Sequence, residues 1–144
     1  MIRKDFIRRK ISLIQDDLAN LTAFSKYTFD EIATDFIKQA ALERMLERII
    51  SRAIDINQYL IVELATKETS TPKDYTETFL ALSRLNVYPE KFAKEIAKSI
   101  GTRNKLVHEY DKVNHIAIYE SVADCLRDYN QYCKYILEFL EKNK

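Results

Sequence analysis

Phe29–Thr66 reads FDEIATDFIKQAALERMLERIISRAIDINQYLIVELAT, with no glycine or proline in it. Phe36, Ile37, Ala40, Met45, Ile49, Ile50, Ala53, Ile56, Leu60 and Leu64 recur along it at helical spacing. Thr28-Phe-Asp-Glu31 at its head has the form of a capping box. The spacing predicts one helix of roughly 55 Å, at about 1.5 Å per residue. That helix overhangs a compact four-helix unit, so it either breaks near Ser51 or continues into a subunit interface.

Working outward, the flanks repeat the pattern. Ile2, Phe6, Ile7, Ile11, Ile14, Leu18 and Leu21 give an amphipathic helix over residues 2–24. Lys67–Thr71 is a loop, and Thr71 as N-cap with Pro72 in the first turn starts a third helix. It runs to about Leu85 through Tyr75, Phe79, Leu80 and Leu82. Asn86–Pro89 is a turn, and Pro89 opens a fourth helix striped by Phe92, Ala93, Ile96, Ala97 and Ile100. Gly101 reads as a C-terminal glycine or a kink. Asp111–Asn114 is a short break with Asn114 as the next N-cap. A last helix covers residues 115–142, lined by Ile116, Tyr119, Val122, Ala123, Leu126, Cys133, Ile136, Leu137 and Leu140.

Composition agrees with an all-α fold. One glycine and two prolines in 144 residues are too few for a turn-rich β architecture. The length suits one domain, residues 1–144. A net charge of +1 excludes a bulk polycation, so any contact with nucleic acid is local. No apolar run approaches a membrane span, and MIRKDFIRRK is not followed by the apolar core of a signal peptide. Cys125 and Cys133 sit about 12 Å apart along one predicted helix, too far to pair. A reduced, cytoplasmic setting fits.

The chemistry concentrates in Arg103-Asn-Lys-Leu-Val-His-Glu-Tyr110. One of only two histidines lies there, and the one glycine, Gly101, sits two residues before the stretch. Histidine exchanges protons near neutral pH, and the arginine fork suits a phosphate with developing charge. Together they could cleave RNA without a metal: the 2′-hydroxyl attacks the adjacent phosphorus, a base takes its proton, and a cation holds the charge. The helical geometry is awkward. At about 100° per residue, Asn104 and His108 lie about 40° apart but Arg103 and His108 about 140°. A fresh helix start after Gly101, or a second chain lining the same groove, would cure this. Leu106 and Val107 would anchor the segment. A histidine satisfied between helices, with Arg103 paired to an acidic residue, has the same spacing.

Other features carry less. His115 has no partner set. Arg3, Lys4, Arg8, Arg9 and Lys10 read as a solvated face rather than an RNA contact. The nine tyrosines read as packing. No Glu-x-x-His pair, zinc spacing, phosphate-cradling glycine loop or Ser or Cys elbow occurs, so no metal or cofactor is expected.

The run Gly101–Tyr110, GTRNKLVHEY, followed by Asp-Lys-Val113, resembles the RxxxxHxY signature of HEPN-domain proteins, in particular the HepT toxins. The likeness extends through Glu43-Arg44 to Ile54-Asp55-Ile56, through Pro72, Tyr75, Glu77, Phe79, Leu82, Asn86 and Val87, and to Tyr119-Glu120. It covers roughly residues 1–140. A glycine usually stands at Asn86 in that family and a leucine commonly at Thr102. The resemblance implies an all-α, up-down antiparallel bundle of four to five helices that forms a homodimer, with two motifs facing one groove. It implies a metal-independent endoribonuclease, the toxin of a two-gene module whose partner antitoxin is an MntA-like nucleotidyltransferase. Arg103 and His108 match the catalytic pair and Asn104 the polar neighbour that positions phosphate. Tyr110 would bind substrate and accept the AMP that switches the toxin off. Asp55 would support Arg103 or His108, or else pair at the surface with Arg52 or Lys67. A non-catalytic module that binds nucleotide, or only partners a transferase, is the other function open to such a bundle; the intact Arg and His favour the nuclease.

Overall fold

The computed structural model describes residues 2–108 and 115–143, all of them in helices and their connections. In order these are α1 (Lys4–Phe24), α2 (Phe29–Ala33), α3 (Phe36–Leu64), α4 (Tyr75–Arg84), α5 (Glu90–Ala97), α6 (Ser99–His108) and α7 (His115–Lys142). The all-helical reading holds, but two expected helices are each divided.

The first division falls at Thr34-Asp35 and not at Ser51, which lies inside α3. The capping box at Thr28 forms, with Thr28 Oγ1 accepting from Glu31 N–H at 3.2 Å and Glu31 Oε1 from Thr28 N–H at 3.1 Å. It starts only one short helix. Asp35 turns extended (φ −123°, ψ 103°), and its carboxylate accepts from Ile37 N–H at 3.0 Å and Lys38 N–H at 3.2 Å. Gln39 Nε2 donates back to Ala33 carbonyl oxygen at 2.7 Å. Side chains thus replace the backbone bonds that the break gives up, so interrupting the apolar stripe costs little.

The second division falls at Lys98, between α5 and α6, and Gly101 is therefore neither a terminal glycine nor a kink. It lies in the first turn of α6, at a φ open to any residue, with open space where a Cβ would stand. The start of α4 also moves. Asp74, and not Thr71, is the N-cap, its carboxylate accepting from Glu77 N–H at 2.9 Å, and Pro72 lies ahead of the helix. Aspartate is the stronger cap of the two candidates. Pro89 takes the cap position of α5, one residue earlier than expected. The expected cap at Asn114 lies outside the described residues.

Direction follows from cross-helix pairs. Arg3 N–H donates to Tyr59 Oη, Lys10 pairs with Asp55, and Asp17 pairs with Arg48 and Arg52, so α1 runs antiparallel to α3. Tyr132 Oη donates to Ala53 and Asn57, and Cys125 lies beside Leu46 and Ile50, so α7 runs parallel to α3. Thr78 meets Asn57, while Tyr75 lies beside Ile61 and Val62, so α4 returns antiparallel. This is the up-down order of a helical bundle. Ile7, Ile11, Ile14, Leu18 and Leu21 of α1 are buried against Leu46, Ile49, Ile50, Ala53 and Leu60 of α3. Phe79, Tyr88, Tyr129 and Tyr132 form an aromatic centre with ring centroids 5.9–6.4 Å apart. Such tilted and edge-on pairs add to the area they bury.

Candidate functional site

Residues 103–108 of the candidate motif lie in α6. Asn104 and Lys105 face outward, while Thr102, Arg103, Leu106 and Val107 are half-buried. Leu106 packs against the core, as its place in the sequence suggests. At the start of the helix, Ser99 Oγ donates to Ile96 carbonyl oxygen at 2.7 Å and lies 2.7 Å from Tyr129 Oη, which is fully buried. That bond ties the base of the motif helix to the aromatic centre. The His108 imidazole and Tyr110 lie outside the described residues.

Arg103 has a defined setting. Its guanidinium carbon lies 4.8 Å from the centre of the Tyr75 ring, at the first residue of α4. Its Nε is buried with no hydrogen-bond partner. Tyr75, one of the positions through which the spacing runs the third helix, is 38% exposed. It stands at the lip of a groove of about 490 Å³, lined by Val62, Pro72 and Lys73 among others. The late start of α4 explains this: Tyr75 opens the helix and points out of it, and the core stripe begins at Thr78 and Phe79. Sequence reading missed the Arg103–Tyr75 contact. An aromatic just after an N-cap was the available signal.

Asp55 is exposed and pairs with Lys10 Nζ at 3.1 Å, across the α1–α3 face. Its expected surface partner Arg52 instead donates to Asp17 at 2.8 Å, and Asp17 is buried. Arg8 pairs with Glu141 at 3.4 Å and Arg3 with Asp5 at 3.8 Å, so the N-terminal cations behave as a solvated face. His115 is exposed at the start of α7.

Neither cysteine is suited to nucleophilic work. Both are free and buried, and burial, first among the causes, pushes each thiol up to about 12. Burial likewise raises the phenols of Tyr88, Tyr129 and Tyr132, so these stay neutral donors in the core. Among the described residues no group of three or more His, Cys, Asp and Glu side chains is placed to hold a metal ion. No helix among them is long and apolar enough to cross a membrane.

A family model described as Ribonuclease HepT-like matches residues 14–136. The chain belongs to the HepT-like family. A protein named tRNA nuclease HepT, from Aphanizomenon flos-aquae, is 32% identical over 136 residues, covering 93% of this chain and 89% of that protein. The mRNA nuclease HepT of Shewanella oneidensis is 24% identical over 98 residues, covering 68% of this chain and 71% of that protein. Two solved structures share the fold. The cytosolic protein YutE of Bacillus subtilis, of unknown function, superposes with a TM-score of 0.84 at 20% identity, over 99% of this chain and 93% of that one. The tri-AMPylated Shewanella oneidensis HEPN toxin, in complex with MNT antitoxin, superposes with a TM-score of 0.80 at 22% identity, over 93% of this chain and 98% of that one. The up-down helical bundle is thus that of HEPN proteins of the HepT type.

Proposed function

We propose that this HepT-like chain is an endoribonuclease toxin that cleaves RNA at the 103–110 segment without a metal. The observation that carries the reading is Arg103 itself. It is an arginine held half-buried on the face of the motif helix that also carries Leu106 and Val107, against the Tyr75 ring and without a carboxylate partner among the described residues, in a chain of the HepT-like family. A guanidinium so placed is available to a phosphate.

In the cleavage step, His108 acts as general base or acid. As base it takes the 2′-hydroxyl proton while the 2′-oxygen bonds to phosphorus. As acid it gives a proton to the departing 5′-oxygen. Arg103 holds the charge on the phosphoryl oxygens, and Asn104, exposed one position further on, orients the phosphate. Asp55 pairs with Lys10 within the chain, and its supporting role is the least required part of the scheme. The chain acts as a homodimer whose two motifs face one groove, which brings an arginine and a histidine together despite their separation on a single helix. Exposed apolar side chains support association: Phe36 is 81% exposed, Ile37 77% and Ile116 54%. Ile116 stands one turn before Tyr119, whose Oη donates to Tyr27 carbonyl oxygen at 2.7 Å and whose ring meets Phe29, so these residues gather at one end of the bundle.

A nucleotidyltransferase antitoxin silences the toxin in the cytoplasm by moving AMP from ATP to Tyr110 Oη, with pyrophosphate leaving. The added phosphate places bulk and negative charge two residues from His108, where RNA phosphate binds. Two measurements test the scheme. Attack by the 2′-hydroxyl requires products with a 2′,3′-cyclic phosphate and a 5′-hydroxyl, formed with EDTA present; 3′-hydroxyl and 5′-phosphate ends would contradict it. The cognate transferase with ATP should add AMP mass to the wild type and not to Tyr110→Phe; labelling at another residue moves the switch elsewhere.

A further inference from the structure

An arginine that must meet a phosphate has to be held in place before the substrate arrives. A carboxylate would hold it, but would also compensate its charge and occupy its donors. Among the described residues no acidic oxygen lies within ion-pair reach of Arg103, and its Nε makes no hydrogen bond. What meets it is the Tyr75 ring, 4.8 Å from ring centre to guanidinium carbon.

We propose that Tyr75 is the positioning residue of Arg103, its ring face standing where a carboxylate would otherwise be; this rests on Arg103 being the phosphate-binding cation of the RNA site. The electron-rich face of the ring attracts the cation without neutralising it and accepts none of its in-plane N–H groups. The Nη donors therefore stay free for phosphoryl oxygens.

The backbone that carries the ring is tied to the centre of the core. Tyr132 Oη donates to Asn57 Oδ1 at 2.6 Å, Asn57 Nδ2 donates to Thr78 Oγ1 at 3.2 Å, and Thr78 Oγ1 donates to Tyr75 carbonyl oxygen at 2.6 Å. Each hydroxyl and amide in the chain uses a compatible proton, and Asn57 and Tyr132 are fully buried. Asp74 caps the same turn. The path crosses from α7 to α3 to α4 and ends at the residue beneath Arg103. An aromatic serving only the core would be hidden, whereas Tyr75 is 38% exposed at the groove lip.

The test uses Tyr75→Phe and Tyr75→Leu, each in the wild-type and the Arg103→Ala background, with RNA cleavage kinetics and circular dichroism as a fold check. Tyr75→Phe keeps the ring face and should leave kcat within about twofold. Tyr75→Leu should lower kcat about tenfold with little change in KM, the size of one half-buried cation–π contact. In the Arg103→Ala background, Tyr75→Leu should change nothing further. NMR supplies a readout independent of cleavage: the upfield ring-current shift of the Arg103 Hδ protons should survive in Tyr75→Phe and vanish in Tyr75→Leu. The proposal is overturned if Tyr75→Leu cleaves like the wild type while Arg103→Ala does not. It is also overturned if Tyr75→Leu raises KM alone, as a ring stacking on a base would, or if its effect persists without Arg103. If Arg103→Ala cleaves normally, the site reading is what fails, and the ring-current shift alone decides whether Tyr75 holds the arginine.

Discussion

Asn86 has a φ of 63°, the left-handed region that favours glycine. It follows α4 in a Schellman arrangement: Val87 N–H donates to Leu82 carbonyl oxygen at 2.9 Å and Asn86 N–H to Ser83 carbonyl oxygen at 3.1 Å. Val87 and Leu82, both buried, make the apolar contact that accompanies this cap. The glycine usual at this position in the family, and the asparagine here, therefore answer one backbone demand, since asparagine tolerates this region better than other side chains. Asn86→Ala should cost about 1 kcal/mol in urea unfolding, while Asn86→Gly should cost less; equal losses would remove the backbone explanation. Arg103 was legible as a candidate because its residue type and spacing carry its chemistry. Its partner was not, because the Arg103–Tyr75 contact depends on where α4 starts and how α6 crosses it, and no local pattern encodes either.

Helix identity was legible from periodicity, but helix breaks were decided by caps that periodicity does not register. The apolar stripe runs straight through Thr34-Asp35, yet one aspartate and one glutamine supply the partners that make a break there inexpensive. Between Pro72 and Tyr75 two N-cap candidates competed, and the carboxylate of Asp74 took the helix start from the hydroxyl of Thr71. Gly101 invited a kink for want of any other glycine, but the turn falls at Lys98, and Gly101 is an ordinary helical residue with open space beside it. Gly101→Ala should therefore stabilise the chain by about 0.5–1 kcal/mol through helix propensity, read as a raised thermal midpoint. A lowered midpoint would mean that something occupies that space. If stability rises while RNA cleavage falls, the space is one that the RNA backbone enters.

Across the molecule, α1 and α3 are joined by a buried clamp. Asp17 accepts from Arg52 at 2.8 Å and lies 3.3 Å from Arg48, with its own side chain 6% exposed. Removing its charge leaves two guanidinium groups without their anion, though both retain some contact with water. Asp17→Asn should cost about 2 kcal/mol, less than the loss typical of a fully buried pair. A change below a few tenths in urea unfolding would show that the clamp only decorates the apolar α1–α3 contact. The bundle as a whole was readable because its stripes, caps and scarcity of glycine and proline all point to helices. The proposed phosphate site was readable only in part, because Arg103 meets Tyr75 through a tertiary crossing and, in the proposed dimer, meets a histidine through a second chain. RNA cleavage by the purified chain in EDTA, with Arg103→Ala and His108→Ala beside it, tests that site most directly. The wild type should cut and each variant should lose at least about 100-fold in kcat/KM; cleavage that persists in both variants, or that disappears from the wild type with chelator, would contradict a metal-independent site built on these two residues.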